Sequence, residues 1–367
     1  MKNSTSLSNI LQSFIPEEKV LSILNEFNYI DVARKFTVYS LFLFLAEAAF
    51  QGWDGYRDGE QRMPGVGLQK VDHSTLSKKA KDVPFECFKQ LLHLLIQQCN
   101  RETKRCLGIP TELLIVDSTQ ITVGLGRLPW APLKGEKAGV KLHVALTGDE
   151  GALHQVTETT GTEHDLHSAI DLVDPRFILV ADRAYSKHEV FDSYQEAKNS
   201  QSFVIRIREN THFHDPVPRE RKTSFGGTIT QDLTCQLGRM KSLTRNRFRV
   251  VVLTDPKGKP VLLATNLHWH SAESIAEIYK KRWQIEVFFR WIKQHLNIPK
   301  LFGTTPNAVY GQLYVALLVY VLLKLLFDEG QKVVHWSAKL TFADFARLLS
   351  LQTVSSEWRI YLAKLCI

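Results

Sequence analysis

Cysteine is scarce and scattered. The 367 residues hold five, Cys87, Cys99, Cys106, Cys235 and Cys366, and no two form a CxxC pair. This excludes a zinc knuckle and gives no basis for a disulfide framework. An odd set of dispersed thiols suits a reducing compartment. Long uncharged apolar runs are also missing. Val38–Phe50 is interrupted by Glu47 and Val315–Phe327 by Lys324. Both fall short of the roughly 20 residues a membrane span needs and read as buried helices. The opening MKNSTSLSNILQSFIPEEK has no apolar h-region, so no signal peptide is expected. No internal repeat or low-complexity tract is visible. The Gly-Leu-Gly at 124–126 lacks the rest of a nucleotide-binding fingerprint. Charge, in contrast, is in surplus. The formal net charge of +8 suits a polyanionic partner such as DNA, or an anionic membrane surface.

The texture changes twice along the chain. Residues 1 to about 108 read as helical, with apolar residues at helical spacing in Leu21–Phe27, Ala33–Phe50 and Phe85–Gln98. Between them QGWDGYRDGEQRMPGVG reads as a loop. The basic segment STLSKKAKD reads as a solvated face or as a surface for DNA, with Ser74 or Ser77 capping a helix. From Thr111, short apolar runs at Leu113–Val116, Val140–Thr147, His154–Thr157, Phe177–Ala181 and Phe203–Arg208 read as strands, with a helix at Lys187–Ala197. Strands followed by helices argue for a mixed α/β layer domain. Residues 209–266 differ again. A polar, turn-rich stretch, 212–232, precedes two strands, Arg247–Thr254 and Val261–Thr265, joined by DPKGKP. Ser271 is the expected N-cap of the next helix. A long apolar helix is expected at Asn307–Phe327.

The segment YKKRWQIEVFFRWIK places Tyr279, Arg282, Glu286 and Lys293 at offsets 0, 3, 7 and 14. On one continuous helix they form a stripe about 60° wide, since each residue turns the helix by about 100°. Ile278, Ile285, Phe288, Phe289, Ile292 and Leu296 fall on a separate apolar arc. A carboxylate flanked by two cations and a phenol is either the wet side of an amphipathic helix or a site for a cation and the phosphate it activates. Two further carboxylates, Asp117 and Asp182, end the runs Leu113–Val116 and Phe177–Ala181. An Asp after a strand is commonly a turn residue. Three such groups converging would be a ligand set for hard divalent ions.

IVDST at 115–119, VADRAY at 180–185 and the Tyr-x2-Arg-x3-Glu-x6-Lys pattern at 279–293 resemble the catalytic motifs of DDE transposases. More narrowly they are similar to the Tyr-Arg-Glu-Lys signature group, insertion-sequence family four. VKLHVALT, FVIRIREN and LFGTTPNAV are similar to that group too. The resemblance implies an α/β fold with a ribonuclease-H-like catalytic core, at 109–208 and 267–330. A β-rich insertion at 209–266 would interrupt it. An N-terminal helical, DNA-binding domain would occupy 1–108, and a tail of unassigned role 331–367. It implies that Asp117, Asp182 and Glu286 are catalytic and bind two Mg²⁺ ions, for which Mn²⁺ can substitute. It implies that Tyr279, Arg282 and Lys293 contact DNA, with Arg183 a further phosphate contact. The partners would be double-stranded DNA, both terminal inverted repeats and target, bound by a dimer on paired ends. No membrane partner is implied, and the setting would be the nucleoid-associated cytoplasm of a bacterium or archaeon.

Two departures stand out. Ala184 occupies a position that is often Gly in the group. The tryptophan that some members use to hold a flipped base falls near Val261, with Trp269 out of register, so a hairpin route of excision is left open. Other residues carry less. His164 with His167, and His212 with His214, complete no zinc pattern. Lys141 and His143 share a strand face, as a structural pair or a contact near the metal site. Trp283 and Trp291 read as packing residues. Rival functions are a nuclease without strand transfer, a catalytically retired DNA-binding protein and a basic membrane-surface protein. The last leaves the carboxylates unexplained. Short inverted repeats are expected to bracket the gene; sequencing the locus checks this, and flanks without them count against the resemblance.

Overall fold

The computed structural model describes residues 6–106, 113–133, 135–147, 152–162, 172, 174–196, 200–219, 229–334 and 340–365, and for 98–106 the backbone alone. In chain order the helices are α1 (Leu7–Phe14), α2 (Glu17–Glu26), α3 (Val38–Phe50), α4 (Tyr56–Arg62), α5 (His73–Asp82), α6 (Phe85–Cys106), α7 (His188–Glu196), α8 (Ala272–Lys280), α9 (Trp283–His295), α10 (Pro306–Val333), α11 (Phe342–Ser350) and α12 (Ser356–Leu365). The strands are β1 (Leu113–Gly124), β2 (Lys137–Thr147), β3 (Ala152–Thr160), β4 (Ile178–Ala181), β5 (Phe203–Ile207), β6 (Phe213–Pro218), β7 (Ile229–Leu237), β8 (Phe248–Thr254) and β9 (Pro260–Thr265).

Two compact units result. One comprises Met1–Cys106, Ile121–Trp130 and Phe289–Ile367; the other comprises Leu107–Gln120 and Ala131–Phe288. Each unit is assembled from separate stretches of the chain. The reason lies in α10. It is 28 residues long, and its most apolar 18-residue stretch has a mean hydropathy of 1.9 and is 89% buried. A helix apolar all round needs neighbours on every side, and α3, α5 and α6 supply them. Length and composition alone would let α10 cross a membrane; its burial against protein identifies it as a core helix.

Local chemistry sets the helix ends. The Thr37 hydroxyl accepts the Ser40 N–H at 3.2 Å, so α3 starts at Val38 and not at Ala33. Glu47, inside the apolar run, is 1% exposed and accepts from the Ser8 N–H and hydroxyl at 3.1 and 2.7 Å. Burial pushes its carboxyl up. The glycine-rich stretch 51–67, expected to be a loop, contains α4 and a 3₁₀ turn at Met63–Val66. Gly59 sits inside α4 because a Cβ there would come within 2.5 Å of the Phe44 ring. Close approach, not chain freedom, explains that glycine. The basic segment forms α5, capped by Asp72 in place of either serine. Its Lys79 is paired with Asp31, so this face is only partly solvated.

The second unit is built on one nine-stranded sheet, in the order β3-β2-β1-β4-β5-β9-β8-β7-β6. β1, β4 and β5 are mutually parallel, and β5 to β6 continue antiparallel. β6 to β9 thus extend the sheet beyond β5. The polar stretch 212–232 supplies β6 and the start of β7, where turns were expected. Pro216 and Pro218 are tolerated because β6 is an edge strand with no ladder on its outer side. Both faces of the central strands are covered, which is why they read as unbroken apolar runs. On one face Phe203 stacks on Phe191 of α7, and Phe248 meets that ring edge-on. On the other, Ile178, Val204, Val251 and Leu263 pack on Ala272 and Ile275 of α8.

One buried ion pair ties this sheet to the helix that comes after it. Arg249 Nε and Nη2 donate to the two carboxylate oxygens of Asp232 at 2.9 and 2.7 Å. Its Nη1 donates to the carbonyls of Leu267 and His270 at 3.1 and 2.5 Å. Arg219 Nη2 adds a bond to the His268 carbonyl at 2.8 Å. The loop entering α8 is therefore fixed from below by two guanidinium groups. The sequence held no sign of this pair, because the partners meet only through β7–β8 register. Asp232→Ala, by leaving Arg249 buried and unpaired, is expected to cost about 3 kcal/mol in denaturant unfolding. An Asp232→Leu/Arg249→Met double variant is expected to recover most of that loss; a single variant as stable as wild type contradicts the account.

Candidate active site

Register brings the first two carboxylates together. β1 and β4 pair from Leu113↔Ile178 to Val116↔Ala181. Asp117 and Asp182 are the next residues on each strand, so both emerge at the same edge. Asp182 ends its strand as expected. Asp117 does not: β1 runs on to Gly124, because β2 still flanks it after β4 has stopped. Asp182 caps the 3₁₀ turn Arg183–Tyr185 by accepting the Ala184 N–H at 2.6 Å. Ala184 is not among the residues with positive φ, so a methyl group in place of a glycine hydrogen costs nothing here.

The 279–293 signature does not lie on one continuous helix. α8 ends at Lys280 and α9 begins at Trp283. Across the junction Arg282 N–H donates to the Tyr279 carbonyl at 3.0 Å and Gln284 N–H to the Lys281 carbonyl at 3.0 Å, both three residues back. This 3₁₀ tightening rotates the end of α8 relative to the start of α9. The helix is thus interrupted within the signature, with Tyr279 in α8, Arg282 in the intervening turn and Glu286 in α9. Lys293 lies seven residues after Glu286, about 20° away around α9. Burial lowers its ammonium pKa.

Arg282 links the acidic groups. Its Nη1 donates to Asp117 Oδ2 at 3.3 Å and its Nη2 to Glu286 Oε1. Its guanidinium carbon lies 5.8 Å from the centroid of the Tyr279 ring. The Arg282 side chain is only 16% exposed. Burial opposes its charge, yet Tyr279, Glu286 and Asp117 together raise its pKa. Asp117 behaves in the opposite sense. Burial, with smaller contributions from the charges of Asp182 and Glu286, pushes its carboxyl up to about 6, against the Ser118 N–H and Arg282. Burial also raises the Tyr279 phenol. The three carboxylates do not all lie within 4.8 Å of one another; Arg282 fills the space between two of them. Their chemistry nevertheless fits a divalent ion: hard oxygen donors only, and an accumulated negative charge that one guanidinium incompletely offsets.

The remaining expected residues divide. Arg183 is exposed beside Asp182. His143 is fully buried with Nε2 2.8 Å from the Thr159 hydroxyl, a structural contact. Trp291 packs, stacking on Phe342 at 4.5 Å, but Trp283 is 55% exposed, contrary to expectation. Val261 packs against the cluster beneath α8, and Trp269 is 99% exposed. His164 and His167 lie outside the described residues. His212 and His214 join no metal-competent cluster among the described residues; Glu60, Asp72 and His73 form the cluster that does meet that geometry. Sequence reasoning gave Arg282 to phosphate and missed its hold on Asp117 and Glu286. The i, i+4 spacing of Arg282 and Glu286 was the available sign.

Comparison with known proteins decides the family. A family model described as a transposase DDE domain matches residues 109–322. A probable transposase for insertion sequence element IS5377 of Geobacillus stearothermophilus is 43% identical over 98% of this chain and 94% of its own. The chain belongs to the DDE transposases. The transposase is also 31% identical to a putative transposase of Sinorhizobium fredii, over 73% of this chain and 77% of that one. Against a putative transposase for element IS4SA of a Synechocystis strain it is 26% identical, over 70% and 72% of the two chains. These matches place it with insertion-sequence family four, as a DNA-cleaving and strand-transferring enzyme of an insertion sequence, and the family implies dependence on a divalent metal. A cryo-EM structure of the piggyBac transposase synaptic complex with hairpin DNA covers 98% of this chain and 82% of its own, with 14% identity and a TM-score of 0.49. That likeness is too slight to argue from.

A raised carboxyl makes a pH prediction for the metal-free transposase. Asp117 binds its proton more tightly folded than unfolded, so its contribution to stability is complete below its ordinary value of 3.8 and is lost as pH rises through about 6. Asp117→Asn cannot ionise. Its melting temperature relative to wild type is therefore expected to climb between pH 4 and about 6 and then level off; a difference that stays flat across that window contradicts the assignment.

Proposed function

We propose that Asp117, Asp182 and Glu286 hold two Mg²⁺ ions, for which Mn²⁺ can substitute. The observation that carries this is the guanidinium of Arg282 donating to both Asp117 and Glu286, with Asp182 delivered alongside by strand register. Bound there, the ions would activate a water or a DNA 3′-hydroxyl and stabilise the leaving oxygen. The chain's own groups do the positioning. Arg282 keeps the two acidic residues facing one another and, with Tyr279, Lys293 and Arg183, contacts the phosphates at the transposon end. Arginine suits bidentate contact with a phosphate and lysine a point-charge contact. No protein nucleophile is needed.

A ribonuclease-H-like core is the fold reading favoured. It is supported by the order β3-β2-β1-β4-β5, by parallel β1, β4 and β5 with antiparallel β2–β3, and by acidic residues on the first and fourth strands. In this reading β6 to β9 are the β-rich insertion, and the N-terminal helices bind DNA. The substrates are terminal inverted repeats, cut at their 3′ ends, and the target DNA joined to them. Paired ends call for a dimer on DNA, in the nucleoid-associated cytoplasm of a prokaryote.

Glu286→Gln removes one metal-binding charge and keeps the shape. It is expected to lower end cleavage by at least 100-fold while end binding in a gel shift stays near wild type. Undiminished cleavage overturns the assignment.

A further inference from the structure

The cavity beside Asp182 does not stop at the carboxylates. Its first part, about 560 Å³, is lined by Asp182, Arg183, Ala184, Arg208, Glu209 and Asn210. A second part of about 730 Å³ shares Arg183, Ala184, Arg208 and Asn210 with the first and runs on past Lys187 to Arg239. Together they form one open groove, wholly within the sheet-bearing unit. The walls are the turn after β4, the connection from β5 to β6, and the turn after β7.

Cations outnumber carboxylates along this groove: Arg183, Lys187, Arg208 and Arg239 line it together with Asp182, Glu209 and Glu189. Arg183, Lys187, Arg208 and Arg239 are all exposed. None of the four makes an ion pair among the described residues. Arg239 Nη2 meets a histidine ring, lying 3.3 Å from His212 Nδ1. Of the acidic side chains, Asp182 belongs to the carboxylate site, Glu209 faces Arg206 at 3.9 Å, and Glu189 stands alone in the second part against Lys187 and Arg239. Unpaired cations converging on a concave polar surface repel one another and favour a bound polyanion. The groove floor is also fixed. Gly238, at φ 99°, donates its N–H to the His212 carbonyl at 2.9 Å, and a Cβ there would meet the Ser242 carbonyl oxygen at 2.2 Å. His188 Nδ1 lies 3.1 Å from that same oxygen. The two walls are thus joined, and the cations are presented from a built surface.

We propose that this groove carries a DNA strand away from the carboxylate site, with Lys187, Arg208 and Arg239 holding its phosphates. The inference rests on the metal-binding reading of Asp117, Asp182 and Glu286 and extends it to a strand path. Both transposon-end DNA and target DNA present this phosphodiester chemistry, and the experiment distinguishes them.

The test uses the full chain with Lys187→Ala, Arg208→Ala and Arg239→Ala combined, and a charge-keeping counterpart with Lys187→Arg, Arg208→Lys and Arg239→Lys. Binding of pre-cleaved end duplex and of plain target duplex is measured across a salt series, and strand transfer is measured in Mg²⁺. The alanine variant is expected to lower the slope of log K against log salt by about 2–3, near 0.9 for each phosphate no longer neutralised. Strand transfer should fall at least tenfold, with an unchanged melting temperature, while the charge-keeping variant retains the wild-type slope. A slope change confined to one duplex names the strand held. If wild type cuts ends and the alanine variant matches it in slope and strand transfer on both duplexes, the groove is overturned and the carboxylate site stands. If wild type fails to cut ends in Mg²⁺, the carboxylate reading falls and the groove proposal with it.

Discussion

The guanidinium of Arg282 is the contact on which the rest of the site depends. It sits at a tightened turn between α8 and α9 and reaches both Asp117, on a strand, and Glu286, one turn further along. Without a cation between them, two partly buried carboxylates beside a third would repel. A single delocalised, always-charged group with several donors can satisfy two of them at once, which a lysine could not do with the same geometry.

The framework beneath this contact is apolar on both faces of the sheet and ionic at one point. Ile275 and Ala272 seat α8 on Val204, Val251 and Leu263. Arg249, paired with Asp232, fixes the loop just before α8 through its carbonyls. The position of Arg282 is thus inherited from the sheet, through a buried ion pair on β7 and β8 and a capped helix start at Ser271. Asp117 and Asp182 owe their place to strand register alone. Sheet geometry, not a flexible loop, sets the spacing of the acidic residues.

Much of this was legible in the chain. Short apolar runs marked β1, β2, β4, β5, β8 and β9, since strands buried on both faces leave unbroken hydrophobic stretches. The residue pattern around Asp117, Asp182 and Glu286 carried the family. What escaped was nonlocal. β6 hid in a polar, proline-bearing stretch because an edge strand needs neither apolar residues nor every N–H. α4 hid behind glycines, of which Gly59 is there for packing against Phe44. The turn that separates α8 from α9 left no proline or glycine to announce it. The alignment of Asp232 with Arg249 exists only after strands have paired. For the same reason the grouping of the C-terminal helices with the N-terminal ones could not be read from spacing.

The central claim is that three acidic residues and one guanidinium form a single electrostatic unit built to take a divalent ion. Manganese electron paramagnetic resonance on the full chain at about pH 7.5 tests it without DNA or turnover. Wild type is expected to bind Mn²⁺, with binding weakened by at least tenfold in each of Asp117→Asn and Asp182→Asn. Mn²⁺ titrations that superimpose for wild type and both variants would contradict it.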